Sequence, residues 1–382
     1  MFTLINLKTS RSFRYWWLCC KILGLHPPNS YRTLYFLYSF LINFSHYVVT
    51  PISYVVYFIY ESQTIHELFQ AAHDFLSFMA VNVKVIVLLS VMEKLQTFQD
   101  AIDALEMHPK FSTKDNARIA EMILAADRLM LCFVCCFNLF VLLFVLSTLL
   151  SAQRSLLLPM WIPFDWNSSG FVYWSVLTYQ FFIGLHTVNR NISTDAFPPL
   201  YLLALCGHFD ILADRFKDIG CNSNQTAEGN CEELVDCIKT HGTLMSVFDQ
   251  LASIISKTII CQFLLSALTI SIALVPVFIM NLSTPQIIMS LSLCIALVFQ
   301  ILPSCYYGDK FMEKSEKFTT CLYSCNWLDQ SLRFKRTLFL FMTVTVQDKV
   351  ILVGKLAPIN LITLLKIFKL SYTLVIFMMQ MT

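Results

Sequence analysis

Charge is scarce in this chain, and glycine scarcer still. Only 14% of its 382 residues are Asp, Glu, Lys or Arg, while 57% are apolar. A water-soluble fold of this length needs more charge to cover its surface, so that class is excluded. Nine glycines and 12 prolines leave little material for the Gly-broken helices of a transporter core. The net charge is +2, and no basic cluster with interleaved aromatics offers a footprint for nucleic acid. No Ser-His-Asp set falls at one membrane depth. HExxH and a phosphate-binding loop are absent too. The reading is a protein that is not an enzyme and uses no cofactor.

What the chain does have is seven long apolar stretches, near 34–60, 65–92, 129–150, 171–189, 255–280, 286–304 and a last one ending almost at Thr382. Each approaches the roughly 20 residues a helix needs to cross hydrocarbon. Twenty Lys and Arg fall in the N-terminus and every second connection, and the alternate connections hold only Arg154. That asymmetry predicts a cytosolic N-terminus. Seven crossings then predict an extracellular C-terminus, opposite to a G-protein-coupled receptor. The expected fold is an all-α membrane protein of seven transmembrane helices, a single domain over 1–382. Its parts are a cytosolic segment 1–33, spans one to six over 34–304, a cytosolic segment 305–350 that starts the last helix, and a pore-type last helix 351–382.

The expected outside connections contain no cysteine, so a structural disulfide is not expected. Cys132 and Cys135 have metal-pair spacing, but no His or second pair accompanies them. Small apolar packing residues is the plainer reading, and no metal is expected. The Trp16–Trp17 stretch is flanked by Arg11, Arg14 and Lys21, which suits a short interfacial helix on the inner leaflet. Helical periodicity continues past several spans into 93–128, 200–219 and 234–251, so a cytosolic helical anchor layer is expected. The one substantial outside loop, 151–170, is rich in aromatics and proline, which fits either a lid or a headgroup-level belt. Asn167 and Asn281 are glycosylation sequons in outside connections, whereas the sequon at Asn224 falls in the cytosol.

Farther along lies a more specific pattern. Cys305-Tyr306-Tyr307-Gly308, Glu313, Ser315 and Leu322-Tyr323-Ser324-Cys325-Asn326-Trp327 are followed by Leu340-Phe341-Met342, Gly354-Lys355 and Phe368-Lys369-Leu370-Ser371-Tyr372. Upstream, Gly207-His208, Leu212, Ile238 and His241 belong to the same series. In order and spacing the chain resembles the insect odorant receptors. The resemblance implies a ligand-gated, non-selective cation channel of four subunits, in which a tuning receptor assembles with a shared odorant co-receptor in olfactory neuron dendrites. This chain is similar to a tuning subunit, because it lacks the co-receptor's long cytosolic insertion. At the end Thr373 and Gln380 agree with the pattern, while Leu374, Phe377 and Met381 depart from it. The resemblance makes Phe377, Gln380 and Met381 candidates for the gate.

Lys369 lies thirteen residues from the end, or roughly 20 Å of helix, short of the roughly 30 Å of hydrocarbon. Lys366 and Lys369 therefore either meet a water-filled vestibule or snorkel to the inner headgroups. A ligand pocket calls for aromatic and aliphatic walls with few polar groups. By depth and by the resemblance, the expected residues are His73, Leu76, Phe140, Phe144, Ser147, Tyr179, Phe182 and His186. A lone intramembrane histidine is more often a packing residue than a ligand contact. The alternatives are a gustatory-type channel, a G-protein-coupled receptor without its Asp-Arg-Tyr and Asn-Pro-x-x-Tyr motifs, a transporter, and an intramembrane enzyme.

Overall fold

The structure is a computed structural model that describes residues 8–27, 31–61, 65–107, 113–150, 154–221, 226–279, 284–345, 350–354 and 357–381. Among these, seven helical columns form the bundle. The first is α2 (Arg32–Phe44), which continues through a π-helical turn at Ser45–Val49 into α3 (Thr50–Tyr60). Then come α4 (Ile65–Glu106), α5 (Thr113–Leu149), α6 (Gly170–Asp218), α7 (Ala227–Ile279), α8 (Thr284–Leu322) and α10 (Leu361–Met381). A short α1 (Arg14–Ile22) precedes them, and α9 (Leu332–Thr345) lies between α8 and α10. Within the described residues, four helices are both long and apolar enough to cross a membrane: Ala71–Glu106, Lys114–Leu149, Gly170–Asp218 and Ala227–Ile272.

These helices outlast their apolar runs, as the periodicity predicts. α6 has 49 residues, about 74 Å of rise and more than twice a bilayer's hydrocarbon. The surplus gathers at one end as an anchor bundle. There Phe248 stacks on Phe311 at 4.7 Å and His241 on Phe318 at 5.1 Å. Arg215 bridges Glu233 and Asp236, each at 2.9 Å. Lys314 pairs with Asp210. The opposite end carries the loop 154–169.

Three sequence expectations change. The N-terminal segment does more than lie on a surface. Phe13, Trp16 and Cys20 are fully buried against α6, and Trp16 Nε1 donates to the Ser193 carbonyl at 2.7 Å. That carbonyl lies in the stretch of α6 where Pro198 and Pro199 withhold two N–H donors. Tyr15, Leu18 and Ile22 remain exposed, so α1 has one face in the bundle and one outward. Second, Lys84, which from the sequence alone is an intramembrane lysine that would snorkel toward the inner side, is instead paired within the bundle. Its Nζ donates to Asn191 Oδ1 at 2.7 Å and to Asp195 Oδ1 at 2.8 Å, and both members of the Lys84–Asp195 pair are buried. Arg190 turns instead to the Tyr47 hydroxyl and Asn43 Oδ1.

Third, the last helix starts at Leu361, ten residues later than expected. Ahead of it, Leu352–Val353 (β1) and Ala357–Pro358 (β2) pair antiparallel. Gly354 turns at φ +55°, a conformation only glycine adopts without strain. Ser256 ties β1 to α7 by donating to the Leu352 carbonyl and accepting from Gly354 N. Asn360 Oδ1 caps α10 by accepting from Thr363 N at 2.8 Å. His108-Pro109, where the sequence interrupts the helical periodicity of 93–128, lies outside the described residues.

Candidate functional site

The loop end of the bundle gathers aromatic rings. Tyr54, Phe78 and Ile183 are buried together, and Phe58, Phe75, Met79 and Leu158 pack on them. α3 supplies Tyr54 and Phe58, α4 supplies Phe75, Phe78 and Met79, and α6 supplies Ile183. The helical repeat places Phe75, Phe78 and Met79 on one face.

The loop closes over this cluster. Gln180 of α6, itself buried, accepts from Leu157 N (2.9 Å) and Leu158 N (3.3 Å) and donates to the Leu158 carbonyl (3.0 Å). Trp161 N donates to the Ser53 carbonyl of α3 at 3.1 Å. Leu157 and Met160 are buried as a result. Of the two readings of this segment, the geometry favours the lid.

Two polar layers cross the aromatic region. On α4, His73 Nδ1 meets Asp74 Oδ1 at 3.2 Å. His73 Nε2 and, one turn on, Ser77 Oγ are buried without a hydrogen-bond partner among the described residues. A buried polar atom left unpaired costs about 1–3 kcal/mol. Deeper, His46 stacks on Phe78 at 5.6 Å. His46 Nδ1 lies 3.3 Å from the Ile42 carbonyl, and its Nε2 lies 3.2 Å from both Thr187 Oγ1 and His186 Nδ1. The carbonyl assigns the proton to His46 Nδ1, so His46 Nε2 accepts and His186 Nδ1 donates. Arg190 continues this layer, 4.8 Å over the Tyr47 ring.

The sequence-expected residues divide by helix phase. His73, Leu76, Phe140, Phe144 and His186 are half-buried, and Phe144 packs with Leu157, Tyr173 and Leu177 beneath the loop. Ser147 is exposed and donates to its own helix at the Phe144 carbonyl. Tyr179 and Phe182 are 39% and 60% exposed, on the outward face of α6. The inward residues of that helix are Tyr173, Val176, Leu177, Gln180 and Ile183. Sequence reasoning missed Gln180, Ile183, Ser77 and Phe78. Gln180 could have been found, as a lone amide in an apolar run.

On α10 the residues Lys366, Lys369, Thr373 and Phe377 are exposed, and their spacing of three or four places them along one face. Thr363 and Leu364 point into the bundle. The side chains of Gln380 and Met381 lie outside the described residues. Asn167 stands exposed in the loop, in a turn where Asp165 Oδ1 accepts its N–H at 3.0 Å. Asn281 is outside the described residues.

Comparison with known proteins gives these features a context. The family model described as 7tm Odorant receptor matches residues 64–372. Odorant receptor 2a of Drosophila melanogaster is 24% identical, with 96% of each chain covered. Odorant receptor 33b of the same species is 27% identical over 60% of each chain, so that alignment spans less than two thirds of the relative. Among solved structures, the insect olfactory receptor OR5 from Machilis hrabei in complex with eugenol has a TM-score of 0.78 at 14% identity. The likeness covers 98% of this chain and 99% of that one, so the seven-helix receptor fold is shared. The relatives are receptors rather than enzymes. By its apolar helices, its fold and the span of the match, this membrane protein belongs to the 7tm Odorant receptor family.

Proposed function

We propose that this chain is the odorant-recognising subunit of a ligand-gated, non-selective cation channel. It works with a shared odorant co-receptor in a tetramer, in the plasma membrane of olfactory sensory neuron dendrites. Its N-terminus and anchor bundle are cytosolic, and its C-terminus and loop 154–169 are outside. The charge bias between connections supports this orientation.

The observation that carries the ligand assignment is the α4 pair, His73 Nε2 and Ser77 Oγ, buried and unpartnered among the described residues at the level of the ring cluster but on the other face of α4. Such a site takes a small volatile molecule with an apolar body and one oxygen function: an ester, ketone, alcohol or phenol. His73 or Ser77 meets the oxygen, and Leu76 of the adjoining turn lies against the body. His186, through His46, holds the floor. The similar fold solved with eugenol, an aromatic of this size and polarity, supports the class.

Binding stabilises one arrangement of α4 and α6 over another, and the channel follows that shift. The exposed face of α10 with Lys366, Lys369 and Phe377 lines the conduit. Phe377 and Met381 form an apolar constriction that closes by dewetting, and Gln380 is the polar side chain beside them. The lysines stand in a wetted inner vestibule, which relieves their cost at that depth.

Whole-cell currents test this reading. Cells expressing the chain with the co-receptor are expected to depolarise on exposure to members of a panel of esters, ketones, alcohols and phenols. Cells with the co-receptor alone should not respond to the same members. Silence of the verified complex to the whole panel would count against the reading.

A further inference from the structure

Six of the thirteen described cysteines fill space. Cys20, Cys206, Cys231, Cys237, Cys305 and Cys325 are buried, the ordinary fate of a small apolar side chain. Cys132, Cys135 and Cys136 of α5 do the opposite. All three are exposed, on a helix whose other face is buried through Met130, Phe133, Phe137 and Val141. Their neighbours along the outward stripe are Leu131, Leu139, Leu142 and Leu143, each more than half exposed. The Cys132–Cys135 spacing in the sequence is not the spatial pairing: Cys132 Sγ lies 3.9 Å from Cys136 Sγ, one turn on, and no metal-holding group of His, Cys, Asp or Glu forms among the described residues.

The position of these thiols along the helix is as telling as their exposure. Toward the anchor end the same stripe carries Glu121 and Arg128, both exposed. Next to them Asp127 pairs with Arg14 at 2.6 Å. Beyond Arg128 the stripe holds no charge up to Leu149. The change from water-facing to lipid-facing surface therefore falls at Arg128. Cys132 lies about 6 Å and Cys136 about 12 Å past it.

We propose that Cys132, Cys135 and Cys136 form an S-acylation site that takes long-chain fatty acyl groups from acyl-coenzyme A. The inference rests on the cytosolic placement of the anchor end. At this level the donor's polar coenzyme faces water while its acyl chain already lies among lipid tails, so the thiol and the thioester meet at the boundary. A cysteine sulfur attacks the thioester carbonyl. The new sulfur–acyl bond forms, the bond to the coenzyme A sulfur breaks, and the thiol proton passes to that leaving sulfur. Electrons balance without an oxidant. The product chain lies along the leucine stripe, parallel to the lipids. Thiols elsewhere near this boundary are poor competitors. Cys20 is buried and Cys19 is half-buried on α1, with Cys19 Sγ turned to the Asn189 carbonyl of α6.

The test feeds an alkynyl fatty acid to cells expressing the full chain with the co-receptor, and then tags the alkyne on the purified chain. The wild type is expected to carry a label that neutral hydroxylamine removes, as it removes thioesters. Cys132→Ser with Cys135→Ser and Cys136→Ser is expected to reduce that label to background while the complex elutes unchanged on size exclusion. Peptide mass spectrometry of the wild type, which needs no variant, is expected to place the acyl groups on the 129–150 stretch. Absence of a hydroxylamine-labile label on the wild type overturns the proposal, as does a label undiminished in the triple variant. An epitope at the N-terminus, read in intact and permeabilised cells, separately reports whether the orientation itself has failed.

Discussion

On the proposed function, a few side chains set which odorants are admitted. His73 and Ser77 present buried polar atoms without partners. One recovered hydrogen bond is worth about 0.5–1.5 kcal/mol, up to roughly a tenfold change in half-maximal concentration. Ser77→Ala is therefore expected to weaken responses to alcohols, ketones or phenols by up to about tenfold and to leave an oxygen-free analogue unaffected. Dose–response currents check this. An equal loss for both ligands would make Ser77 a packing residue. Phe377, 57% exposed on α10, is expected to matter to the pore and not to the ligand site. Phe377→Ala should raise resting leak or alter conductance without moving the half-maximal odorant concentration, as seen in single-channel records. Asn167 is exposed in the loop, and Asn167→Gln is expected to remove a glycan, read as a gel shift. The residue types were legible in the sequence, but their phase was not. Tyr179 and Phe182 looked as suitable as Ile183, since in a span apolar all round nothing in the pattern marks the inward face.

The elements that join the cluster to the rest are α1, α6 and the short hairpin before α10. Trp16 of α1 is fully buried against Phe197 and Tyr201. Its replacement by Ala leaves a cavity and the Ser193 carbonyl without its donor, a loss of about 3–5 kcal/mol. A lower melting temperature and poor surface delivery are the expected readouts. The hairpin holds α10 at its base. Gly308 of α8 packs so closely that a Cβ there would lie 2.3 Å from the Ile359 carbonyl oxygen. Gly308→Ala must therefore displace the start of α10. The expected outcome is altered resting current with odorant affinity retained. Asp309 adds a second tie by accepting from Leu361 N at 3.0 Å. The length of α6 was legible from its continued periodicity. The hairpin was not, because a two-residue ladder has no repeat to read.

At the scale of the molecule, the bundle is held across its middle by buried charge. Lys84 of α4 meets Asp195 of α6 at 2.8 Å, with both side chains less than 5% exposed. Removing one partner strands the other, a loss of about 3–5 kcal/mol. Lys84→Met should therefore destabilise the receptor strongly, and adding Asp195→Leu should recover much of that loss. Thermal unfolding in detergent, with both single variants and the pair, measures it. No recovery in the pair would mean that Asn191 or Thr194, and not the ion pair, governs the site. Sequence reading left Lys84 inside its span, snorkelling toward the inner side, and suggested Asp195 for Arg190. More than 100 residues separate Lys84 from Asp195, and only the tertiary fold brings them together.

Composition by itself determined that this chain lives in a membrane, because too few charges exist to face water. The apolar run lengths determined seven columns, since the thickness of hydrocarbon sets a helix length. The order of residues over 305–372 determined the family. What the fold alone decided was phase and partnership: which face of α6 turns inward, which acid meets Lys84, where the loop folds down, and that Trp16 enters the bundle. The physical reason is that in a uniformly apolar helix every face satisfies lipid and protein alike. The inward face is chosen by close packing between distant segments, which no local pattern records.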